Sequence, residues 1–326
     1  MVTKILVTGG AGYIGSHVVL QLSEAGHDVV VYDNCSTGAA SAVLHGQLVV
    51  GDLADRERLH QLFAQEKFTA VIHLAGSKVA PESVVKPLDY YANNTCNTLT
   101  LLRCCQTFGV DQFVFSSTAA VYGEVNQSLT LESAPTVPIN PYGRSKLINE
   151  WMIQDYAAAS GLRYLILRYF NVAGADPKGR IGERNAQGSH LIKVACDAAL
   201  GRRESLQIFG TDFPTPDGTA VRDYIHVWDL ATAHLDGLHY LEQGGQSEVL
   251  NCGYGRGYSV REVVKKMKEI SGVDFPVVEV NRRKGDPASV VASVQRIREV
   301  LGWMPNYDDL GVIVKTTWEW YKQLVN

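Results

Sequence analysis

No apolar run in the sequence approaches the roughly 20 residues that a membrane-spanning helix needs. No signal peptide is expected either. Lys4 to Val7 read as a buried strand that runs straight into a glycine loop, with no small-residue cleavage site behind an apolar stretch. There is no basic surplus: the net charge is −4, so nothing is available to replace counterions along a nucleic acid or an anionic membrane. The six cysteines, Cys35, Cys96, Cys104, Cys105, Cys196 and Cys252, form no CxxC and stand near no histidine at zinc-ligand spacing. No HExxH occurs either. No metal is therefore expected, and the thiols are expected to be reduced, as in a cytoplasmic protein. Repeats and low-complexity segments are also absent. What remains has 46% apolar and 20% charged residues, the balance of a globular chain with a full core. Its 326 residues suit two domains or one large α/β unit.

The first half alternates short apolar runs with helical patterns. Strands are expected at 4–8, 28–32, 47–51, 70–75, 112–117 and 162–168, with helices at 14–25, 55–66, 88–108 and 142–160. The runs are apolar throughout rather than alternating, which indicates burial on both faces of a parallel sheet. Such repetition predicts an α/β fold with a doubly wound parallel sheet, right-handed crossovers, and ligands at the carboxyl ends of the strands. Beyond about residue 171 glycine, proline and charged loops become common, and helices are expected at 189–201, 227–242, 259–271 and 308–323. This reads as a smaller, loop-rich substrate domain over 171–326, with 1–170 binding a dinucleotide. The stretch 225–253 is expected to return to the sheet.

TGGAGYIG (8–15) follows the first strand and opens the first helix. Gly9, Gly12 and Gly15 allow the tight turn, a close approach of backbone N–H groups to a pyrophosphate, and tight helix packing of the Rossmann type. The phosphates then meet the positive end of the helix dipole. Asp33 ends the second strand 18 residues after Gly15. A carboxylate there binds ribose hydroxyls and repels a 2′-phosphate, which favours NAD over NADP. Asp52, after the third strand, either meets the adenine edge or caps the following helix.

PYGRSK (141–146) places Tyr142 and Lys146 four apart, on one helix face. A nearby ammonium favours the phenolate, so such a tyrosine becomes a base near neutral pH. The spacing alone would equally suit an amphipathic helix with a surface lysine. FSSTAAVYG (115–123) adds Ser116, Ser117 and Thr118 at the carboxyl end of a buried strand, where a doubly wound sheet displays its catalytic groups. Any one of these three hydroxyls is suited to bonding a substrate oxygen.

These motifs, with YDNCSTG (32–38), HLAGSKVAPESVVKPLDYYANN (73–94), RYFNVAGADP (168–177), IFGTDFPTPDGTAVRDYIHVWDLA (208–231) and NRRKGDP (281–287), resemble the extended short-chain dehydrogenase/reductase family, and within it the UDP-glucose 4-epimerases. The resemblance runs over nearly the whole chain. It implies Tyr142 as the base, Lys146 as the ribose-binding cation that lowers the phenol's pKa, and Thr118 as the catalytic hydroxyl. It implies NAD contacts from Gly9, Gly12, Tyr13, Ile14, Gly15, Asp33, Asn34, Cys35, Ser36, Thr37, Gly38, Asp52, Leu53, Leu74, Ala75, Gly76, Lys78, Asn93 and Phe170, besides Tyr142 and Lys146. For the UDP-sugar it implies Lys78, Thr118, Tyr142, Asn171, His190, Leu191, Gln207, Ile208, Phe209, Arg222, Arg283, Asp286 and Val290. His190 stands where some members carry an asparagine. Val290 falls where glucose/galactose-restricted members carry a larger aromatic, which leaves room for an N-acetylated sugar.

The activity implied is inversion at C4 of a UDP-hexose by transient oxidation with tightly bound NAD. A dehydratase or decarboxylase would need an acid or base beside the catalytic hydroxyl, and Ala119 and Ala120 follow it here. A net dehydrogenase, or a non-catalytic NAD-binding scaffold, would be told apart by its NADH stoichiometry or by loss of the Tyr–Lys pair. The resemblance also implies a homodimer, formed through the helices at 88–108 and 142–160.

Overall fold

The computed structural model describes residues 4–124, 128–184, 188, 190–283 and 286–325. Ser189, where one helix is expected to begin, and Lys284 and Gly285 of the NRRKGDP segment lie outside them. Thirteen strands lie among the described residues: β1 Lys4–Thr8, β2 Asp28–Asp33, β3 Gln47–Val50, β4 Ala70–His73, β5 Gln112–Ser116, β6 Arg163–Tyr169, β7 Asn171–Ala173, β8 Leu206–Phe209, β9 Val221–His226, β10 Glu248–Cys252, β11 Gly257–Ser259, β12 Val277–Val280 and β13 Ser289–Val290. Seven of them make one sheet in the order β10-β6-β5-β4-β1-β2-β3. The pairings β1–β2, β2–β3, β1–β4, β4–β5 and β5–β6 are all parallel. The chain runs outward through β2 and β3, then returns to β4 on the other side of β1. The switch point of this Rossmann-type α/β sheet therefore lies where β1 and β4 end.

The core explains the continuous apolar strands. Ile5, Leu6, Val7, Val30, Val71, Ile72, Phe113, Val114 and Leu165 are completely buried, as a sheet covered on both faces requires. The chain divides into two compact units. One holds 1–123, 136–168 and 231–250, and the other 124–135, 169–230 and 251–326. The helix Val227–Glu242 and β10 carry the chain back to the first unit. Residues 124–135 belong to the second. Asn251 Nδ2 donates to the Thr130 carbonyl at 2.8 Å, and the Asn251 N–H donates to Glu132 Oε1 at 2.9 Å. Two smaller sheets follow in the second unit: one of four strands, with β9 flanked by β11 and β13 and also paired with β7, and one in which β8 pairs with β12.

One expectation is corrected. The segment 88–108 is not a single helix but Pro87–Tyr90, a π turn Tyr91–Cys96, and the helix Asn97–Phe108. The wider turn has a polar cause. Asn94 is buried, accepts the Ser77 N–H at 2.7 Å, and donates to the Ser77 carbonyl and to Ser145 Oγ, each at 3.0 Å. A 3.6-residue periodicity holds no sign of one inserted residue, and such bulges recur at functional sites. Among the described residues no helix is long and apolar enough to cross a membrane. All six cysteines are free, and Cys104, Cys105, Cys196 and Cys252 are buried.

Candidate active site

The glycine loop is shaped for close approach. Gly9 has φ +76°, and a Cβ on it would stand 2.5 Å from the Ala75 nitrogen in the loop after β4. A Cβ on Gly15 would stand 2.1 Å from the Gly9 carbonyl oxygen. The helix Tyr13–Glu24 starts at Gly12, which offers no side-chain cap to the first N–H groups. A helix start without a side-chain cap suits an anion. Asp33 links this loop to the turn after β2: one carboxylate oxygen accepts the Ala11 N–H at 2.9 Å, the other the Cys35 N–H at 2.8 Å. That bond accompanies a left-handed Cys35, with φ 55°. Burial and the Asp33 charge push the Cys35 thiol up.

Asp52 is not the cap of the next helix. Asp55 is, accepting the Arg58 N–H at 3.0 Å. Asp52 accepts the Ala54 N–H at 2.8 Å and the Asn34 side-chain amide at 2.7 Å, which joins two of the expected NAD contacts. The Lys78 ammonium lies 5.8 Å from the Tyr13 ring centre, and Asn93 donates to Ser77 Oγ at 2.9 Å. Leu53 is buried, Ile14, Gly38, Leu74 and Ala75 are half-buried, and Ser36, Thr37 and Gly76 are exposed.

Beneath the loop, sequence reasoning missed His73, the last residue of β4. Its two ring nitrogens share hydrogen bonds with Thr8 Oγ1 at 2.7 Å and Thr98 Oγ1 at 2.8 Å. Burial, with the Lys146 charge, pushes it down to about 3. The folded chain thus declines a proton that the unfolded chain takes up below about 6.5. Stability is expected to fall as pH drops from that value towards 3. Urea midpoints from pH 7 to 5 check this: His73→Gln should flatten the decline, and an unchanged slope would refute the assignment.

The helix Pro141–Ser160 begins at Asn140, whose side chain accepts the Gly143 N–H at 2.9 Å, with proline in the first turn. A Cβ on Gly143 would lie 2.6 Å from the Ala120 carbonyl oxygen. The first turn of the helix therefore rests directly on the segment after β5. Tyr142 is buried, with its ring edge-on to Tyr90 at 6.4 Å. Lys146 is 5% exposed, with its ammonium 4.4 Å from the Phe115 ring centre and no hydrogen-bond partner among the described residues. Burial lowers it to about 7, against the pull of the Glu150 carboxylate. A surface lysine on an amphipathic helix is thereby excluded.

The three hydroxyls after β5 separate. Ser116 Oγ lies 3.2 Å from His234 Nε2, and Ser117 Oγ donates to Glu150. Thr118 Oγ1 accepts the Ala120 N–H at 3.1 Å, and its own proton has no acceptor among the described residues. Ser116 and Ser117 are thus engaged by side chains of the fold, and Thr118 keeps a hydroxyl proton to offer. Behind it, Arg168 bonds both Glu150 oxygens, with the shortest contact 2.6 Å, and donates to the Tyr122 hydroxyl at 3.0 Å.

In the second unit, Arg222 of β9 has Val290 of β13 as its Cα partner. Burial lowers the Arg222 guanidinium, while Tyr224 and Asp286 raise it. Asn171 of β7 stands opposite Tyr224. The Arg283 guanidinium lies 3.7 Å from the Phe209 ring centre, and the Asp286 N–H donates to the Arg283 carbonyl at 3.3 Å. Along β8, Gln207 is exposed and Phe209 half-buried, while Ile208 is turned into the core. His190 precedes the helix Leu191–Ala199 and, like Leu191, is half-buried. Phe170 is buried, its N–H donating to the Cys252 carbonyl at 3.2 Å. Sequence reasoning also missed Asp223, which accepts the N–H groups of Tyr254, Gly255 and Ala292. Burial pushes it up to about 6 despite those three bonds. Its acid stands beside Arg222 in VRDYIH, where the two read in sequence as ordinary surface charge.

An uncapped glycine turn at the switch point of a doubly wound sheet, with a buried Tyr–Lys pair beside a free hydroxyl, defines a dinucleotide-dependent enzyme of the hydride-transfer class. The chain belongs to the NAD dependent epimerase/dehydratase family, whose model matches residues 5–253. It is 56% identical over 322 residues to the UDP-glucose 4-epimerase of Azospirillum brasilense, covering 98% of this chain and 92% of that one. The crystal structure of UDP-glucose 4-epimerase from Brucella ovis in complex with NAD superposes with a TM-score of 0.95 at 44% identity, covering 97% and 98% of the two chains. A UDP-Glc/GlcNAc 4-epimerase from Campylobacter jejuni does so with 0.88 at 46%, covering 98% and 99%. NAD fits the residues present: the loop folds so tightly that Gly9 and Gly15 admit no Cβ, the helix start lacks a side-chain cap, and Lys146 is a buried ammonium without a hydrogen-bond partner among the described residues.

Proposed function

We propose that this chain inverts C4 of a UDP-hexose, interconverting UDP-glucose and UDP-galactose through a 4-keto sugar. The observation that carries the reading is the buried Tyr142–Lys146 pair together with the free hydroxyl proton of Thr118. Bound NAD supplies reversible hydride acceptance, so no external oxidant is consumed. Tyr142 takes the proton of the 4-hydroxyl and later returns it. Thr118 donates to the same oxygen and holds it in place. Lys146 binds the nicotinamide ribose and favours the phenolate through its charge. Asp33, Asn34 and Asp52 hold the adenosine end. Arg222 and Arg283 hold the diphosphate, and a guanidinium fork suits phosphate oxygens. Ala119 and Ala120 offer no acid or base to neighbouring carbons, which restricts the chemistry to C4. Incubation with UDP-glucose and no added cofactor, followed by chromatography, tests this. UDP-galactose without net NADH is expected, and its absence would refute the reading.

N-acetylated sugars are a second substrate class, favoured by the small side chain of Val290 beside Arg222. Turnover of UDP-N-acetylglucosamine is expected. Val290→Tyr should abolish it while sparing UDP-glucose, and equal loss of both would remove Val290 from the sugar pocket. We further propose a cytoplasmic homodimer. Val84, Val85, Leu88, Leu99 and Trp151 are exposed on the helices of residues 80–108 and 141–160, and an apolar group of this kind marks an interface. Trp151→Glu should yield a monomer by analytical ultracentrifugation; an unchanged dimer would place the interface elsewhere.

A further inference from the structure

No metal constellation exists along the sequence, but the fold assembles one. His27 lies in the connection between the helix Tyr13–Glu24 and β2. His239 and Glu242 lie at the end of the helix Val227–Glu242, three residues apart and so on one face. One ligand atom from each of the three lies within 4.8 Å of the other two. His27 and His239 stand 212 positions apart in the chain, which is why no spacing motif reveals them.

The two Nε2 atoms approach to 3.1 Å, with ring centres 5.4 Å apart and planes inclined by 35°. Two imidazoles on one Zn²⁺, at about 2.0–2.1 Å each and near a tetrahedral angle, hold their nitrogens roughly 3.3 Å apart. The pair therefore already stands close to the separation that a shared ion requires. The third residue adds an independent sign. Glu242 Oε1 is buried and has no hydrogen-bond partner among the described residues. A carboxylate oxygen shielded from water and given no donor is costly, and a cation removes that cost. All three residues are half-buried, so an ion can enter from solvent while the ligands stay held.

We propose that His27, His239 and Glu242 form a binding site for one divalent transition cation of the Zn²⁺ class. Two imidazole nitrogens and one carboxylate oxygen suit Zn²⁺, Co²⁺ or Ni²⁺ rather than Ca²⁺ or Mg²⁺, which take oxygen ligands. Without the ion, a proton bridges the two rings; binding displaces it, and water completes the coordination. The site does not serve the hydride chemistry. His27 precedes the first residue of β2 and Asp33 is the last, so the length of a six-residue strand, about 20 Å, separates them. Its effect is to fasten the connection before β2 to the end of a helix more than 200 residues later, which stabilises the first unit by linkage.

The test uses the full chain with NAD bound, stripped with a chelator and desalted, then titrated with Co²⁺ in a non-coordinating buffer. A saturable visible band from one Co²⁺ per chain is expected, displaced by an equivalent of Zn²⁺, with a rise in Tm on Zn²⁺ addition. His239→Ala and the conservative Glu242→Gln and His27→Gln should lose the band. Cys96→Ser should keep it, because an exposed thiol is the obvious rival ligand. Absence of saturable binding up to millimolar Co²⁺, or binding in Glu242→Gln and His239→Ala equal to that of the unsubstituted chain, overturns the proposal.

Discussion

Tyr142→Phe should lower epimerisation by about 10²- to 10⁴-fold, the contribution expected of a positioned general base, while leaving NAD bound. The substitution removes one oxygen and keeps the ring, so the edge-on contact with Tyr90 at 6.4 Å survives. The Asn140 cap and the close fit of Gly143 against Ala120 lie in the backbone and are untouched. The glycine loop, Asp33 and Lys146 also remain, so the cofactor keeps the contacts proposed for it. Product chromatography gives the rate, and NAD released on denaturation gives occupancy. Turnover near that of the unsubstituted chain would remove Tyr142 from the mechanism. Loss of NAD along with activity would instead make Tyr142 a binding residue.

The sheet was legible because its strands are apolar on both faces, and the sequence pattern carries that burial directly. The glycine loop was legible because close approach demands glycine, and a residue type without alternatives leaves a readable mark. The hydroxyl cluster was only half legible. Ser116, Ser117 and Thr118 look alike in sequence, and only the positions of His234 and Glu150, 118 and 33 residues away, show that the two serines are engaged within the fold while Thr118 is not. Asp52 posed a similar problem: it too could cap the following helix, and the backbone path gives that place to Asp55. The π turn at Tyr91–Cys96 was hidden because the reward for inserting a residue is a set of bonds from Asn94 to Ser77 and Ser145, distant in sequence. His73 and Asp223 were hidden for a related reason. Their partners are backbone groups and hydroxyls, which no charge pattern announces.

The Glu150–Arg168 pair was equally invisible, and removing one member should have the largest effect on stability. Glu150→Ala is expected to destabilise the chain by about 3–5 kcal/mol, because it leaves a buried guanidinium without its counter-charge. Glu150 is completely buried and Arg168 only 6% exposed. Burial acts to lower the Arg168 guanidinium, yet the bond and charge of Glu150 hold it above its usual value, so the carboxylate is what makes the charge tolerable there. Replacing both residues, Glu150→Leu with Arg168→Met, should restore much of the loss, since an apolar pair of similar volume removes the charge as well as its partner. Recovery should be incomplete. Ser117 Oγ then loses its acceptor, and the Tyr122 hydroxyl loses a donor, at about 1 kcal/mol or more each. Urea midpoints of the NAD-bound forms check the order. A double variant as unstable as Glu150→Ala would mean that packing, not charge, is what the pair supplies. Activity should fall as well, and through a different route. Glu150 lies one helical turn beyond Lys146 and is the group that raises its pKa against burial. Without that carboxylate Lys146 gives up its proton more readily, and the charge that favours the Tyr142 phenolate is lost. The double variant should therefore regain stability without regaining turnover, which separates the pair's structural task from its electrostatic one.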